Sequence, residues 1–334
     1  MILILSQDSF ETTTDNVIDW LDALGACFLR INGEDLDRNR PIRFLLSGVH
    51  LEVLMEIDGT LVDFASVRAV WYRRWTRERR HEAEALLLDG SGSPGLHFQV
   101  ANHLTNESRR LAHLFFSQFA GLPWLSDPEN SSLVKLDTLR RAASIGIDTP
   151  ATLVTTRRVD LENFADVHGS VITKPLSEVK TLMEGERAHF MYTTALSQRE
   201  IAALPEEFTP SLFQESLSKA YELRVFYLEG QCYAMAIFSQ SDQQTRVDFR
   251  FYNTRIPNRV VPYRLSPSMV SRLQNLMDDL NLNTGSIDLI VTPEGRQVFL
   301  EVNPIGQFGM VSQPCNYYLE RKIAEWLIRK ANND

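Results

Sequence analysis

The sequence predicts an α+β protein with more than one lobe, on three observations. The first third alternates short apolar strands with helical stretches. The last third is richer in strands, with two helices set among them. At 334 residues the chain can bury two or more cores. The composition is 44% hydrophobic, 23% charged and 10% aromatic, which excludes a mainly disordered, collagenous or disulfide-scaffold protein.

Met1–Leu5 reads as a first buried strand, because the apolar run stops at Ser6-Gln7-Asp8 without a basic leader or cleavage site. A helix is expected over Thr14–Leu24 and a strand over Cys27–Ile31. Further strands are expected at Leu51–Ile57 and Val67–Tyr72, with a turn at Asp58-Gly59. Leu104, Leu111, Leu114 and Phe115 recur at helical spacing within Phe98–Ala120. These elements form an expected α/β domain over residues 1–125, closed by Gly121-Leu122-Pro123.

A second domain is expected over 126–214. Its helix, Leu133–Ile145, has Gly146 as a C-cap, and strands follow at Thr152–Thr155 and Val171–Lys174. A third is expected over 215–334, with strands from Glu222–Leu228 to Gln297–Val302 and helices at Ser266–Leu280 and Tyr318–Ala331.

Lys plus Arg number 34 and Asp plus Glu 43, so the net charge of −9 argues against a general nucleic-acid partner. Cys27, Cys232 and Cys315 are far apart and odd in number, which fits a reducing cytoplasm rather than a disulfide framework. No apolar run reaches the roughly 18 residues a membrane span needs. HExxH, GxxxxGK[ST] and GxSxG are all missing, so zinc-hydrolase, Walker and α/β-hydrolase chemistry find no motif.

The most informative stretch is 285–304. Pro293-Glu294-Gly295 marks a turn between two β-rich runs. With Glu294 and Gly295 as a two-residue loop, Asp288 falls opposite Glu301, and Asn303 shares the Glu301 face. Facing carboxylates repel, and Asp, Glu and Asn oxygens together suit a hard cation such as magnesium. A three-residue loop would shift the register and leave a solvated hairpin with incidental acids.

Lys174 closes an apolar strand before Pro175, so it either projects into a cleft toward phosphate or snorkels to water. Lys135 sits early in its helix with the same two readings. Phe213–Leu217 could connect two domains and read an adenine edge. Glu222 with Arg224, and Asp248 with Arg250, share strand faces. They are structural ion pairs or a charged floor that grips a carboxylate or phosphoryl group. The run Arg73-Arg74-Trp75-Thr76-Arg77-Glu78-Arg79-Arg80 is either a solvated strand end or a dock for an acidic partner or peptide.

In this order, from helix lysine through Lys-Pro, Gln-Glu, Glu-x-Arg, Asp-x-Arg and Asp…Glu-x-Asn, the motifs resemble the ATP-grasp superfamily over roughly residues 130–310. A narrower likeness, from about residue 65 onward, is to the ATP-grasp ligases that mature graspetides, ribosomal peptides crosslinked by ω-esters or ω-amides. It rests on Val70-Trp71-Tyr72-Arg73-Arg74, Gln214-Glu215 with Lys219, Ala236–Gln240 and Asn303–Gly309. The ending Pro314–Glu320 is similar to the grasp-with-spasm subgroup.

The resemblance implies an ATP-grasp fold, in which a pre-grasp domain precedes two lobes that clasp ATP. It implies ATP and Mg²⁺ as cofactors. Lys135 and Lys174 would contact phosphates, Glu215 and Leu217 would hold the adenine, and Gln214 and Glu222 would complete the nucleotide set. Asp288, Glu301 and Asn303 would bind magnesium, with Arg224 and Arg250 on the acceptor carboxylate. Arg73, Arg74 and Arg77 would bind peptide. The expected partner is a precursor peptide with leader and core, and the expected assembly a homo-oligomer, with a dimer favoured. Only Gly185 stands in the loop 176–187, where many ATP-grasp enzymes close a glycine-rich loop. Two other readings stay open: a ligase adding a free amino acid, and a nucleotide-binding module without turnover.

Overall fold

The computed structural model describes residues 1–7, 11–36, 41–57, 59–75, 94–176, 182–184, 187–189, 193–240 and 258–332. They form two compact units, one made of Met1–Pro128 with Tyr318–Asp334, the other of Glu129–Tyr317. The C-terminal helix, Leu319–Ala331, therefore groups with the N-terminal segment.

In the first unit, β1 (Ile2–Ser6) pairs in parallel with β2 (Phe28–Asn32) after helix α1 (Thr12–Ala23). A separate antiparallel sheet follows, made of β3 (Ile42–Ser47), β4 (His50–Ile57) and β5 (Thr60–Asp63). β6 (Ala69–Tyr72) joins β1 on its other side, and α2 (Pro94–Ser117) leads to β7 (Trp124–Leu125) beside β6. All five β1 side chains are buried, as a parallel sheet covered on both faces requires. Leu3 and Leu5 pack with Val70, with Phe115 of α2 and with Phe119 just beyond its end. The other face meets the C-terminal helix, which also packs along α1, with Arg321 over the Trp20 ring.

The second unit opens with α3 (Lys135–Ser144). Gly146, at φ +83°, ends it: Gly146 N–H donates to Ala143 O and Ile147 N–H to Ala142 O. This double closure needs the left-handed conformation that glycine takes at no steric cost. β8 (Thr152–Arg157), α4 (Arg158–His168) and β9 (Val171–Lys174) come next, then the short hairpin β10 (Leu182–Glu184) and β11 (Arg187–His189). β12 (Thr194–Leu196), α5 (Gln198–Ala203) and β13 (Glu207–Glu215) complete an antiparallel sheet in the order β12-β9-β13-β8. Leu161, Ala165 and Ile201 of the helices seal it against Val171 and Phe213.

A second antiparallel sheet, ordered β16-β15-β14-β17-β18, follows in the same unit. Its strands are β14 (Tyr221–Leu228), β15 (Gln231–Phe238), β16 (Arg259–Tyr263), β17 (Thr284–Val291) and β18 (Gln297–Asn303). Helix α6 (Pro267–Asp279), capped by the Ser266 hydroxyl, lays Met269, Leu273, Leu276 and Met277 on one face of the sheet with Leu139 and Ala142 of α3. Leu223, Val225 and Tyr227 point into that core. By the period of two, Glu222, Arg224 and Phe226 face the other way. After β18 comes α7 (Gly309–Cys315).

Candidate functional site

β13 ends at Glu215, and residues 216–220 carry the chain from the first sheet of this unit to the second. Both ends of the connection are pinned: Ser216 N–H donates to Ser170 O at 2.7 Å, and Ala220 N–H to Val291 O at 2.8 Å. Against it opens a cleft of about 690 Å³. It gathers Lys135 from α3, Lys174 from the end of β9, Gln214, Glu215, Leu217 and Glu222 around the connection, and Asp288, Glu301 and Asn303 from β17 and β18. Nine of the sequence-predicted residues thus line one cavity.

The acidic hairpin reaches the expected pairing by an unexpected route. Thr292 and Arg296 close a three-residue loop, with Gly295 at φ +86°. The strands beyond it begin one residue out of the expected register: Val291 faces Gln297 and Leu289 faces Phe299. A bulge between Asp288 and Leu289 admits Leu300 as an extra residue, so Asp288 faces Glu301 after all and Ser286 faces Asn303.

On the next strand Arg224 faces Asp288. Its Nη1 donates to both carboxylate oxygens, at 2.8 and 2.6 Å. Lys135 Nζ stands 3.8 Å from Glu301 and donates to Pro175 O at 3.1 Å. Each acid of the pair therefore has a cation beside it, which offsets the repulsion between them. Asn303 Oδ1 accepts from Ile305 N–H at 3.0 Å and keeps a second lone pair. Two carboxylates and an amide oxygen on adjacent strands fit a hard, oxygen-seeking cation. Among the described residues no group of three or more His, Cys, Asp or Glu could hold a metal, so the set depends on the Asn303 amide.

Around the connection, Gln214 is buried and its amide donates to Thr152 Oγ1. Glu215 Oε1 accepts from Ala151 N–H at 2.9 Å, which fixes the carboxylate at the cleft wall. Glu222 is buried and ion-paired with Lys219, itself a lining residue not singled out as a site residue from sequence. Desolvation pushes the Glu222 carboxyl above its usual range, although Lys219 pulls the other way.

The peptide-docking expectation needs correction at Arg73. Arg73 is only 3% exposed. It is buried against Glu11, with Arg73 Nε 3.2 Å and Arg74 Nε 2.8 Å from the two carboxylate oxygens. The Thr13 and Thr14 hydroxyls donate to the same carboxylate. Arg73 is thus a structural ion pair in the first unit, not an exposed docking charge, and its burial lowers its pKa to about 10. Arg77, Gly185, Asp248 and Arg250 lie outside the described residues.

The chain has the ATP-grasp fold, and fold and cleft together define the ATP-grasp ligase class. Among its structural relatives in that class are a RiPP-associated ligase and peptide macrocyclases. A RiPP-associated ATP-grasp ligase of Chryseobacterium gregarium, in complex with ADP and a leader and core peptide, superposes with a TM-score of 0.83 at 21% identity, over 99% of this chain and 96% of that one. The macrocyclase MdnC of Microcystis aeruginosa, bound with precursor peptide MdnA, gives 0.79 at 25% identity, over 98% and 99%. The macrocyclase MdnB of the same organism gives 0.74 at 26%, over 98% of each chain. No protein-family model and no curated protein matches the sequence. No described helix is long and apolar enough to cross a membrane.

Proposed function

We propose that this protein is an ATP-dependent peptide maturase. It activates Glu or Asp side chains of a ribosomal precursor peptide and crosslinks them to Thr or Ser hydroxyls, or to Lys amines, closing macrocycles. The observation that carries this reading is the convergence of Lys135, Lys174, Asp288, Glu301 and Asn303 in one cleft, with Arg224 against Asp288.

The chemistry follows from the problem. A carboxylate is a poor electrophile because its charge repels nucleophiles. Its oxygen attacks the γ-phosphorus of ATP, the bond to the ADP oxygen breaks, and ADP leaves an acyl phosphate. The peptide's own hydroxyl or amine then attacks the acyl carbon, phosphate departs and a proton is lost. Magnesium, held by Asp288, Glu301 and Asn303, would neutralise phosphate charge during the transfer. Lys135 and Lys174 add positive charge at the phosphates. The connection 214–217 holds the adenine end. Arg224 steadies the acceptor carboxylate, and Arg250 is proposed to share that task. Because donor and acceptor lie on one chain, ring closure gains from high effective concentration.

A leader segment is proposed to dock away from the cleft and deliver the core. The working assembly is proposed to be a homo-oligomer, with a dimer favoured, in a reducing cytoplasm that suits three free cysteines. The test is ADP release with Mg²⁺ and ATP, with and without a short peptide encoded beside this gene that carries Thr and Glu or Asp near its end. Peptide-stimulated release supports the reading. Release unchanged by any such peptide, with free amino acids stimulating instead, overturns it.

A further inference from the structure

We propose that Ser286 and Gly306 form a positioning pair that sets the place of the Asn303 amide. The inference rests on the metal-site reading given above and deepens it.

Residues 303–306 make a tight turn. Gly306 N–H donates to Asn303 O at 3.1 Å, and Pro304 occupies the second position, where its fixed φ suits such a turn. The turn folds back onto β17 at Ser286, the residue that faces Asn303 across the ladder. Contact there is extremely close. A Cβ at position 306 would lie 2.3 Å from Ser286 Cβ, 2.4 Å from its Oγ and 3.0 Å from Asn303 O. Carbon atoms in contact sit about 3.5–4.0 Å apart, so no side chain fits while the turn stays where it is. Both Ser286 atoms belong to a fully buried residue, and its hydroxyl donates to Gln307 O at 3.1 Å. Ser286 cannot swing aside without giving up that bond.

The glycine here does not supply a left-handed backbone. It supplies the absence of a methyl group. With that methyl absent, the turn seats directly on Ser286, and the Asn303 side chain is held by Ile305 N–H beside Glu301. A side chain at 306 would lift the turn and carry Asn303 Oδ1 away from Asp288 and Glu301. Neither residue touches the metal in this account. Both act through Asn303.

The steric origin makes the pair testable by compensation. Gly306→Ala should retain ADP binding without metal but weaken the apparent Mg²⁺ affinity, measured with ADP by calorimetry, by about 10-fold or more, as loss of an outer-shell support does. The double variant Ser286→Gly with Gly306→Ala removes both clashing atoms. The next atom met, Asn303 O at 3.0 Å, needs only a small adjustment. It should regain most of the lost Mg²⁺ affinity. Wild-type Mg²⁺ affinity in Gly306→Ala, or no recovery in the double variant, overturns the proposal. If the single variant fails to fold, the double variant decides alone: folded with near wild-type Mg²⁺ affinity supports the pair, and folded with weakened affinity overturns it. Glu301→Gln and Asn303→Ala separate the two layers. If both keep wild-type Mg²⁺ affinity, the metal site itself is misassigned; if both lose it while Gly306→Ala does not, only the positioning pair fails.

Discussion

Arg224 grips Asp288 across two neighbouring strands, one guanidinium nitrogen donating to both carboxylate oxygens at 2.8 and 2.6 Å. The two side chains are 11% and 15% exposed, so the pair is largely shielded from water, and Asp288 lines the cleft. In the proposed mechanism Asp288 belongs to the metal and Arg224 to the acceptor carboxylate. Their contact therefore joins the two halves of the reaction.

Asp288→Asn is expected to abolish Mg²⁺-dependent ATP turnover while leaving the fold intact, because it removes metal-binding charge and leaves Arg224 with a neutral neighbour. Glu301→Gln should do the same. Circular dichroism and coupled ADP assays check both. Full turnover in either variant, with magnesium as the sole divalent ion, would remove that residue from the metal site.

Arg224→Lys should still bind nucleotide but lose ligation by roughly 100-fold, the scale on which a preorganised charge-stabilising donor matters. Arginine's planar fork can hold a carboxylate through two parallel bonds, whereas lysine offers a point charge. The comparison to make is the affinity for ADP against the rate of peptide modification.

How much of this site could be read from sequence is clearest at the acidic hairpin. Pairing Asp288 with Glu301 assumed a two-residue loop, yet the loop has three residues and the bulge at Leu300 makes up the difference. Nothing local announces that bulge, since Leu300 is an ordinary strand residue. The face shared by Glu222 and Arg224 was legible, because strand alternation is a two-residue rule. Arg73 was not, because its partner Glu11 lies 62 residues earlier and only β1–β6 pairing brings them together. The same holds for Ser286 and Gly306, whose contact depends on the turn after β18. Helix α7, with Pro314 inside it and Gly309 at its start, carries signals that argue for a loop.

Glu11→Ala should destabilise the first unit by about 3–5 kcal/mol, since it removes the carboxylate that offsets a buried guanidinium charge. Urea unfolding measures this. Arg73→Glu should damage folding in the same way, by setting two carboxylates together in the core. If Arg73→Glu keeps wild-type stability but binds peptide poorly, the surface-dock reading returns.

Glu222 gives a pH signature. Its folded-state pKa is raised by burial, so its contribution to stability is fully present below the unfolded value of about 4.5 and is lost as pH rises through the folded value. Glu222→Gln should remove this part of the pH dependence. The difference in melting temperature between variant and wild type should grow in the variant's favour from acid toward neutral pH. A difference that is flat with pH would mean that Lys219 fully offsets the cost of burying the charge.

Intramolecular condensation of the peptide is tested most directly by intact-mass spectrometry. Incubated with ATP, Mg²⁺ and the precursor peptide, the wild type should lower the peptide mass by about 18 Da, one water, for each bond closed. A mass gain of one amino-acid residue, or ADP release with no change in peptide mass, would contradict it.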